Sequence, residues 1–237
     1  MHCHWRIMLM TALLNIALCA HASSAKIPES WAHYLKMAED LAASQLLMVF
    51  TSRAEVTRAE LFCLEKVGNE WHIAIPAMAA SVGRKGIAEP ESKREGDGKT
   101  PYGMYHIGMA FGYESDCPTR MPYRQMQSHD IWVDDPAAED YNRLVHLDRT
   151  KAKSFEYMRR KDDLYKFGLV VEYNTNPIVP GLGSAIFIHY WGRPFRSTAG
   201  CLGLSEQNLQ AVLSFLDPAK SPVIGFYRKD IARQSFK

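Results

Sequence analysis

The apolar positions of this chain change period several times, and each change marks an element. Trp31, Tyr34, Leu35, Ala38, Leu41 and Ala42 recur near the i, i+3, i+4, i+7 spacing of one helical face. Pro28–Ser44 is therefore predicted to be an amphipathic helix, with Pro28 and Ser30 suited to its start. The period then shortens. Gln45–Thr51 holds the unbroken run Leu46 to Phe50, and Ala59–Val67 alternates in part. Gly68-Asn69 is a turn signal before Glu70–Ile75, so a hairpin is expected there. Gly83 and Gly86 mark turns, and the charged, glycine-rich Glu89–Thr100 reads as a surface loop.

Tyr102–Gly108 resumes a strand pattern. Met109–Arg149, with Pro118, Pro122 and Pro136 and many aromatics, shows no clear period. A connection of that length is functional or locally ordered. Lys151–Arg160 is predicted to be a short helix. Leu164–Tyr173 and Ser184–His189 read as strands, separated by the loop Pro177–Gly183. After a second loop, Gly192–Gly200, Ser205 caps a helix over Glu206–Leu216 whose Leu209, Val212, Leu213 and Leu216 share one face. Strands outnumber helices and do not alternate with them. That order predicts one mainly-β domain over residues 45–237 with a few peripheral helices, braced by the N-terminal helix in 23–44.

The first 22 residues have a different logic. A short, weakly positive start (Met1–Arg6), an apolar run (Ile7–Ala20) and Ala20-His21-Ala22 form the three parts of a secretory signal peptide cleaved near Ala22. The run is shorter than the ~20 residues of a membrane span, and no later segment is long enough, so no stable membrane insertion is expected after cleavage. His2-Cys3-His4 lies inside this peptide and is not read as a metal site. Bulky Leu18 before Cys19 argues against a lipidated cysteine.

Composition narrows the class. Hydrophobic residues are 47%, charged residues 23%, and the net charge is +2. The basic residues are scattered, so no nucleic-acid partner is expected. Cleavage would leave Cys63, Cys117 and Cys201, an odd number, with at least one thiol unpaired in an oxidising compartment. Pairing Cys63 with Cys117 is arithmetically open and would leave Cys201 free.

The chemistry gathers between Ser184 and Ser205. An apolar strand delivers His189 to its end, and Cys201 follows twelve positions on, flanked by Gly200 and Gly203. A cysteine attacks carbonyls as thiolate, and a histidine nearby is the usual means of removing its proton. Glycines beside it allow backbone amides to approach a developing oxyanion.

These residues resemble the signature of the YkuD-type L,D-transpeptidases: a histidine at a strand end, a variable loop, then Ser/Thr-His-Gly-Cys and commonly an arginine two places later. His189, Ser197/Thr198, Gly200 and Cys201 match it. Gly96-Asp97-Gly98-Lys99-Thr100-Pro101-Tyr102-Gly103 resembles the family's Gly-Asp-x-x-Thr-Pro-x-Gly element. Trp132–Asn142, with Asp134, Asp135, Tyr141 and Asn142, resembles a block of one branch. The likeness runs from about Gln45 to Tyr227. Two positions depart from the pattern: Ala199 stands for the histidine and Gly203 for the arginine. Thr-Ala-Gly-Cys is a common form in the branch this chain most resembles.

The resemblance implies a YkuD-like β-sandwich catalytic domain. It implies Cys201 as nucleophile, His189 as base, and backbone amides near Ala199, Gly200 and Cys201 as oxyanion donors. Arg193 or Arg196 would replace the missing arginine in gripping a substrate carboxylate, with Ser197, Thr198, Gly203 and Tyr190 as further substrate contacts. The implied reaction cleaves the diaminopimelate–D-alanine bond of peptidoglycan stem peptides and transfers the acyl group to an amine. Hydrolysis of the same bond and a non-catalytic wall-binding role are the alternatives. No metal or organic cofactor is needed, carbapenems are expected to acylate Cys201, and the periplasm is the expected compartment.

Other candidates carry plainer readings. Asp134 and Asp135 are paired carboxylates for acid/base work or for an amino group, or simply a turn before Pro136. Asp97 reads as a structural turn, since no Walker pattern surrounds it. His72, His106, His129 and His146 lack ligand spacing. Tyr123, Trp132, Tyr190 and Trp191 are expected in the core or the cleft wall.

Overall fold

A computed structural model describes residues 26–51 and 57–229. The expected signal peptide and His2-Cys3-His4 lie outside the described residues. Among those described, no helix is long and apolar enough to cross a membrane.

A 3₁₀ turn at Glu29–Trp31 leads into helix α1, Ala32–Asp40. Strands β1 (Gln45–Thr51), β2 (Arg58–Val67) and β3 (Glu70–Ser81) follow, with the predicted two-residue turn at Gly68-Asn69. Gly68 has φ 60°, a conformation glycine adopts without penalty. The strand expected to stop at Ile75 continues past Pro76. The register shifts between Cys63↔Ile75 and Leu61↔Met78, so a bulge absorbs the proline that a regular ladder excludes.

Then come β4 (Gly103–Gly112), β5 (Tyr123–Gln125), β6 (Asp130–Val133), β7 (Leu144–His146), β8 (Phe155–Tyr157), β9 (Phe167–Val171), β10 (Phe187–Tyr190) and β11 (Leu202–Leu204). Helix α2 (Glu206–Phe215) and β12 (Val223–Arg228) complete the described chain. Ser205 caps α2 as predicted, its hydroxyl accepting the Asn208 N–H at 3.1 Å.

The mainly-β expectation holds, and the larger sheet closes on itself. Its order is β12-β1-β2-β3-β11-β10-β9-β4, and β4 pairs back onto β12. Closure leaves no free edge among these eight strands. β5 adds alongside β4, and a small sheet of order β7-β6-β8 stands apart. The stretch 109–149, without clear period in sequence, is thus locally ordered. The helix expected at Lys151–Arg160 is absent. Phe155–Tyr157 instead pairs with β6 as β8. Phe155 and Tyr157 alternate with Glu156, and tertiary pairing overrides a weak helical propensity.

Each strand's alternation divides the core. On β1, Leu47 and Val49 face the barrel interior, while Leu46, Met48 and Phe50 lie beneath α1 with Tyr34 and Ala38. Both faces are covered, which explains the unbroken apolar run. The α2 residues Leu209, Val212, Leu213 and Leu216 join the barrel core with Ile188, Leu202 and Leu204. A second cluster, including Phe111, Trp132, Met158, Leu164, Tyr165, Phe187 and Cys201, packs outside the barrel. Each buried side chain of this size contributes roughly 1.5–3 kcal/mol. Cys63 is buried in the barrel, and Cys63, Cys117 and Cys201 are all free thiols, so the open pairing of Cys63 with Cys117 is not made.

Candidate active site

β10 and β11 run parallel, with Ile188↔Leu202, His189↔Gly203 and Tyr190↔Leu204 in register. Ile188, Leu202 and Leu204 point into the barrel. By alternation, Phe187, His189, Cys201 and Gly203 belong to the opposite side. Two residues twelve positions apart in sequence therefore reach one cavity of about 410 Å³.

Cys201 is 5% exposed. Its sulfur donates to the Ala185 carbonyl and accepts from the Phe187 N–H, both at 3.3 Å. Burial pushes the thiol pKa up to about 12; Glu156 adds to the rise, and the Phe187 N–H, Lys93 and Arg160 oppose it. The resting group is a thiol. His189 is also 5% exposed. Its Nδ1 lies 2.7 Å from the Tyr190 carbonyl. A carbonyl only accepts, so the neutral ring carries its proton on Nδ1 and keeps the Nε2 lone pair as a base. Burial lowers the His189 pKa to about 4, against the raising effect of that hydrogen bond. The Tyr165 ring meets the imidazole edge to face at 5.2 Å.

The cavity wall is charged with both signs. Arg84, Lys93, Arg160 and Arg196 stand with Glu95, Asp134 and Glu156. Glu95 accepts from the Tyr141 hydroxyl at 2.6 Å and the Ser184 hydroxyl at 2.7 Å. Glu156 accepts from the Tyr165 hydroxyl, and desolvation still holds its pKa above the usual carboxylate value. Asp134 is raised for the same reason, and its Oδ1 has no hydrogen-bond partner among the described residues. This wall favours a ligand carrying both an ammonium and a carboxylate.

The sequence-predicted contacts separate into two groups. Arg196, Ser197, Thr198, Ala199 and Gly200 line the cavity with His189 and Cys201. Thr198 Oγ1 donates to the Cys201 carbonyl at 2.7 Å and accepts the Gly200 N–H at 3.1 Å. The Gly200 amide, expected as an oxyanion donor, is thus already engaged. Arg193 and Tyr190 do not line the cavity. Tyr190 sits across β10 from His189, beneath Lys166 at 4.7 Å. Gly203 does not line it either: a Cβ there would lie 2.5 Å from Ser81 Oγ and 3.2 Å from Trp191 Cβ. The position is glycine because other residues cover it.

Asp135 is a turn residue, accepting the Ala137 N–H at 3.0 Å and the Lys153 N–H at 2.8 Å. Asp97 is structural too, accepting the Arg94 and Lys99 N–H groups, each at 2.8 Å, and Lys93 Nζ at 2.9 Å. Trp132 is buried, and Trp191 forms part of the cavity wall. Arg84, Lys93, Glu95, Glu156, Arg160 and Tyr165 escaped the sequence reading. They come from four separate stretches of chain, and no local spacing links them.

The family model for the L,D-transpeptidase catalytic domain, YkuD, matches residues 53–224. A search of curated proteins gives no match. Among solved structures the chain is similar to the helical cell shape determining protein Pgp2 from Campylobacter jejuni. Identity is 16% and the TM-score 0.39, over 78% of this chain and 49% of that one, so this chain spans about half that structure's length. With the family model covering well over half of its residues, this chain belongs to the YkuD family of L,D-transpeptidase catalytic domains.

Proposed function

We propose that this chain is an exported peptidoglycan L,D-transpeptidase working in the periplasm through a Cys201 thioester. The observation that carries the reading is the convergence of the Cys201 sulfur and the His189 imidazole on one cavity with walls of both charges. His189 Nε2 takes the thiol proton as the sulfur attacks the carbonyl between diaminopimelate and the terminal D-alanine. A buried thiol at neutral pH fits proton removal concerted with attack better than a preformed ion pair. The C–N bond breaks, His189 returns the proton to the departing D-alanine amine, and the acyl group stays on sulfur. An acceptor amine then attacks the thioester, and the thiol re-forms. Arg196 at the cavity rim is the cation for a substrate carboxylate. Glu95, Asp134 and Glu156 suit the free amino group of diaminopimelate.

A digest of purified muropeptides by wild type and Cys201→Ala, read by mass spectrometry, tests this. Loss of D-alanine with new cross-linked species, absent with the variant, is the expected result. Loss of D-alanine alone makes the chain a carboxypeptidase. No change with the wild type removes the reaction and leaves a wall-binding role.

A further inference from the structure

The Gly96–Gly103 element meets the nucleophile's backbone from behind. Asp97 ties its turn, and Thr100 within it is fully buried. The Thr100 backbone is pinned: its N–H donates to the Gly86 carbonyl at 2.9 Å, and its carbonyl accepts the Ala88 N–H at 2.8 Å. Its hydroxyl accepts the Gly83 N–H at 2.9 Å and donates to the Gly200 carbonyl at 2.7 Å. A hydroxyl has one proton, and an N–H cannot accept, so that proton goes to Gly200.

Gly200 is the residue before Cys201, and the peptide bond joining them is trans. In a planar trans peptide the N–H points opposite to the C=O. Holding the Gly200 carbonyl towards Thr100 therefore aims the Cys201 N–H away from it. Among the described residues the Cys201 N–H makes no hydrogen bond, whereas the Gly200 N–H is held by Thr198. The approach is close: a Cβ on Gly200 would lie 3.0 Å from the Lys99 carbonyl oxygen and 3.2 Å from Ile186 Cδ1.

We infer that Thr100 is a positioning residue, fixing the Gly200–Cys201 peptide so that the Cys201 N–H faces the oxygen of the acyl group under attack. This rests on the acyl-transfer reading of the site. It explains why a threonine that does not line the cavity sits at the end of the Gly-Asp-Gly-Lys-Thr element.

Two reactions of the same sulfur separate this role from a merely structural one. Acylation by a carbapenem passes through a tetrahedral oxyanion. The S–C bond forms, the β-lactam C–N bond opens, and the ring nitrogen takes the thiol proton. Alkylation by iodoacetamide displaces iodide and develops no oxyanion. Both rates are measured at Cys201 by mass spectrometry on wild type, Thr100→Val and Thr100→Ser. Thr100→Val is expected to acylate about 10- to 100-fold more slowly, a partial version of losing an oxyanion donor outright. Its alkylation rate should be unchanged, and Thr100→Ser should recover acylation. Equal acylation of Thr100→Val and wild type overturns the inference, as does an equal fall of both reactions. Thr100→Ala replaces Thr100→Val if that variant does not fold. A wild type that is alkylated but never acylated overturns the acyl-transfer reading, and the inference with it.

Discussion

His189 and Cys201 are both shifted towards their neutral forms by burial, and the two shifts have separate consequences. The thiol is displaced to about 12, so thiolate is scarce in the unliganded protein at pH 7. Alkylation of Cys201 by iodoacetamide, mapped by mass spectrometry, should be slow at pH 7 and still rising above pH 9. A plateau near pH 7 would mean a preformed thiolate. His189 has a folded pKa of about 4 against 6.5 for a free ring. Between these values the unfolded chain binds a proton that the folded chain refuses, so stability rises with pH. The contribution is complete above about pH 6.5 and is lost as pH falls towards 4. Its size is on the order of 3 kcal/mol. Urea unfolding at pH 7 and pH 4.5 should show a larger acid loss for wild type than for His189→Asn, and equal losses would refute the burial argument.

At the scale of elements, Asn142 clamps the chain entering β10. Its Oδ1 accepts the Trp132 indole N–H at 2.8 Å and the Ala185 N–H at 3.1 Å. Its Nδ2 donates to the carbonyls of Tyr173 and Asn174. Asn142→Ala leaves two buried donors unpaired, at a cost of about 2–4 kcal/mol. Acylation of Cys201 should slow as well, because the Ala185 carbonyl holds its sulfur. A variant with an unchanged urea midpoint would show that the clamp is idle. β11 has a different constraint. Its Gly203 lies under Ser81, Trp191 and Thr198, so Gly203→Ala must push β3 or the Thr198 loop outwards. A destabilisation of about 1–3 kcal/mol is expected, as for other overpacked sites, and denaturant titration measures it.

For the whole molecule, closure of the barrel brings the two ends of the described chain together. β12 pairs with β1 on one side and β4 on the other, and α1 covers the outer face of β1 and β12. The Tyr34 and Tyr227 rings meet tilted at 4.1 Å, and Trp31 meets Phe62 at 4.9 Å. The helix is part of the core. A chain beginning at Gln45 should lose stability on the order of 3 kcal/mol or more through exposed aromatic surface. Comparing its thermal midpoint with that of a chain beginning at Ser23 checks this.

Local period and short motifs determined much by themselves. The unbroken run of β1, the turn at Gly68-Asn69, the Ser205 cap and the strand bearing His189 each depend on neighbours a few residues away, and each was legible. The pairing of His189 with Cys201 as candidates rested on the resemblance of His189, Ser197/Thr198, Gly200 and Cys201 to the family signature, since a lone cysteine and histidine twelve positions apart carry little by spacing. Phe155–Tyr157 departs from the predicted helix because its conformation is set by β6, more than twenty positions earlier. The charged wall was invisible for the same reason: Glu95, Asp134, Glu156 and Arg160 meet only after the small sheet docks beside the barrel. Burial, which displaces the pKa of both Cys201 and His189, is a property of the folded surroundings. The chain itself carried the candidate pair, while tertiary packing decided its burial, its hydrogen-bond partners and the charges around it.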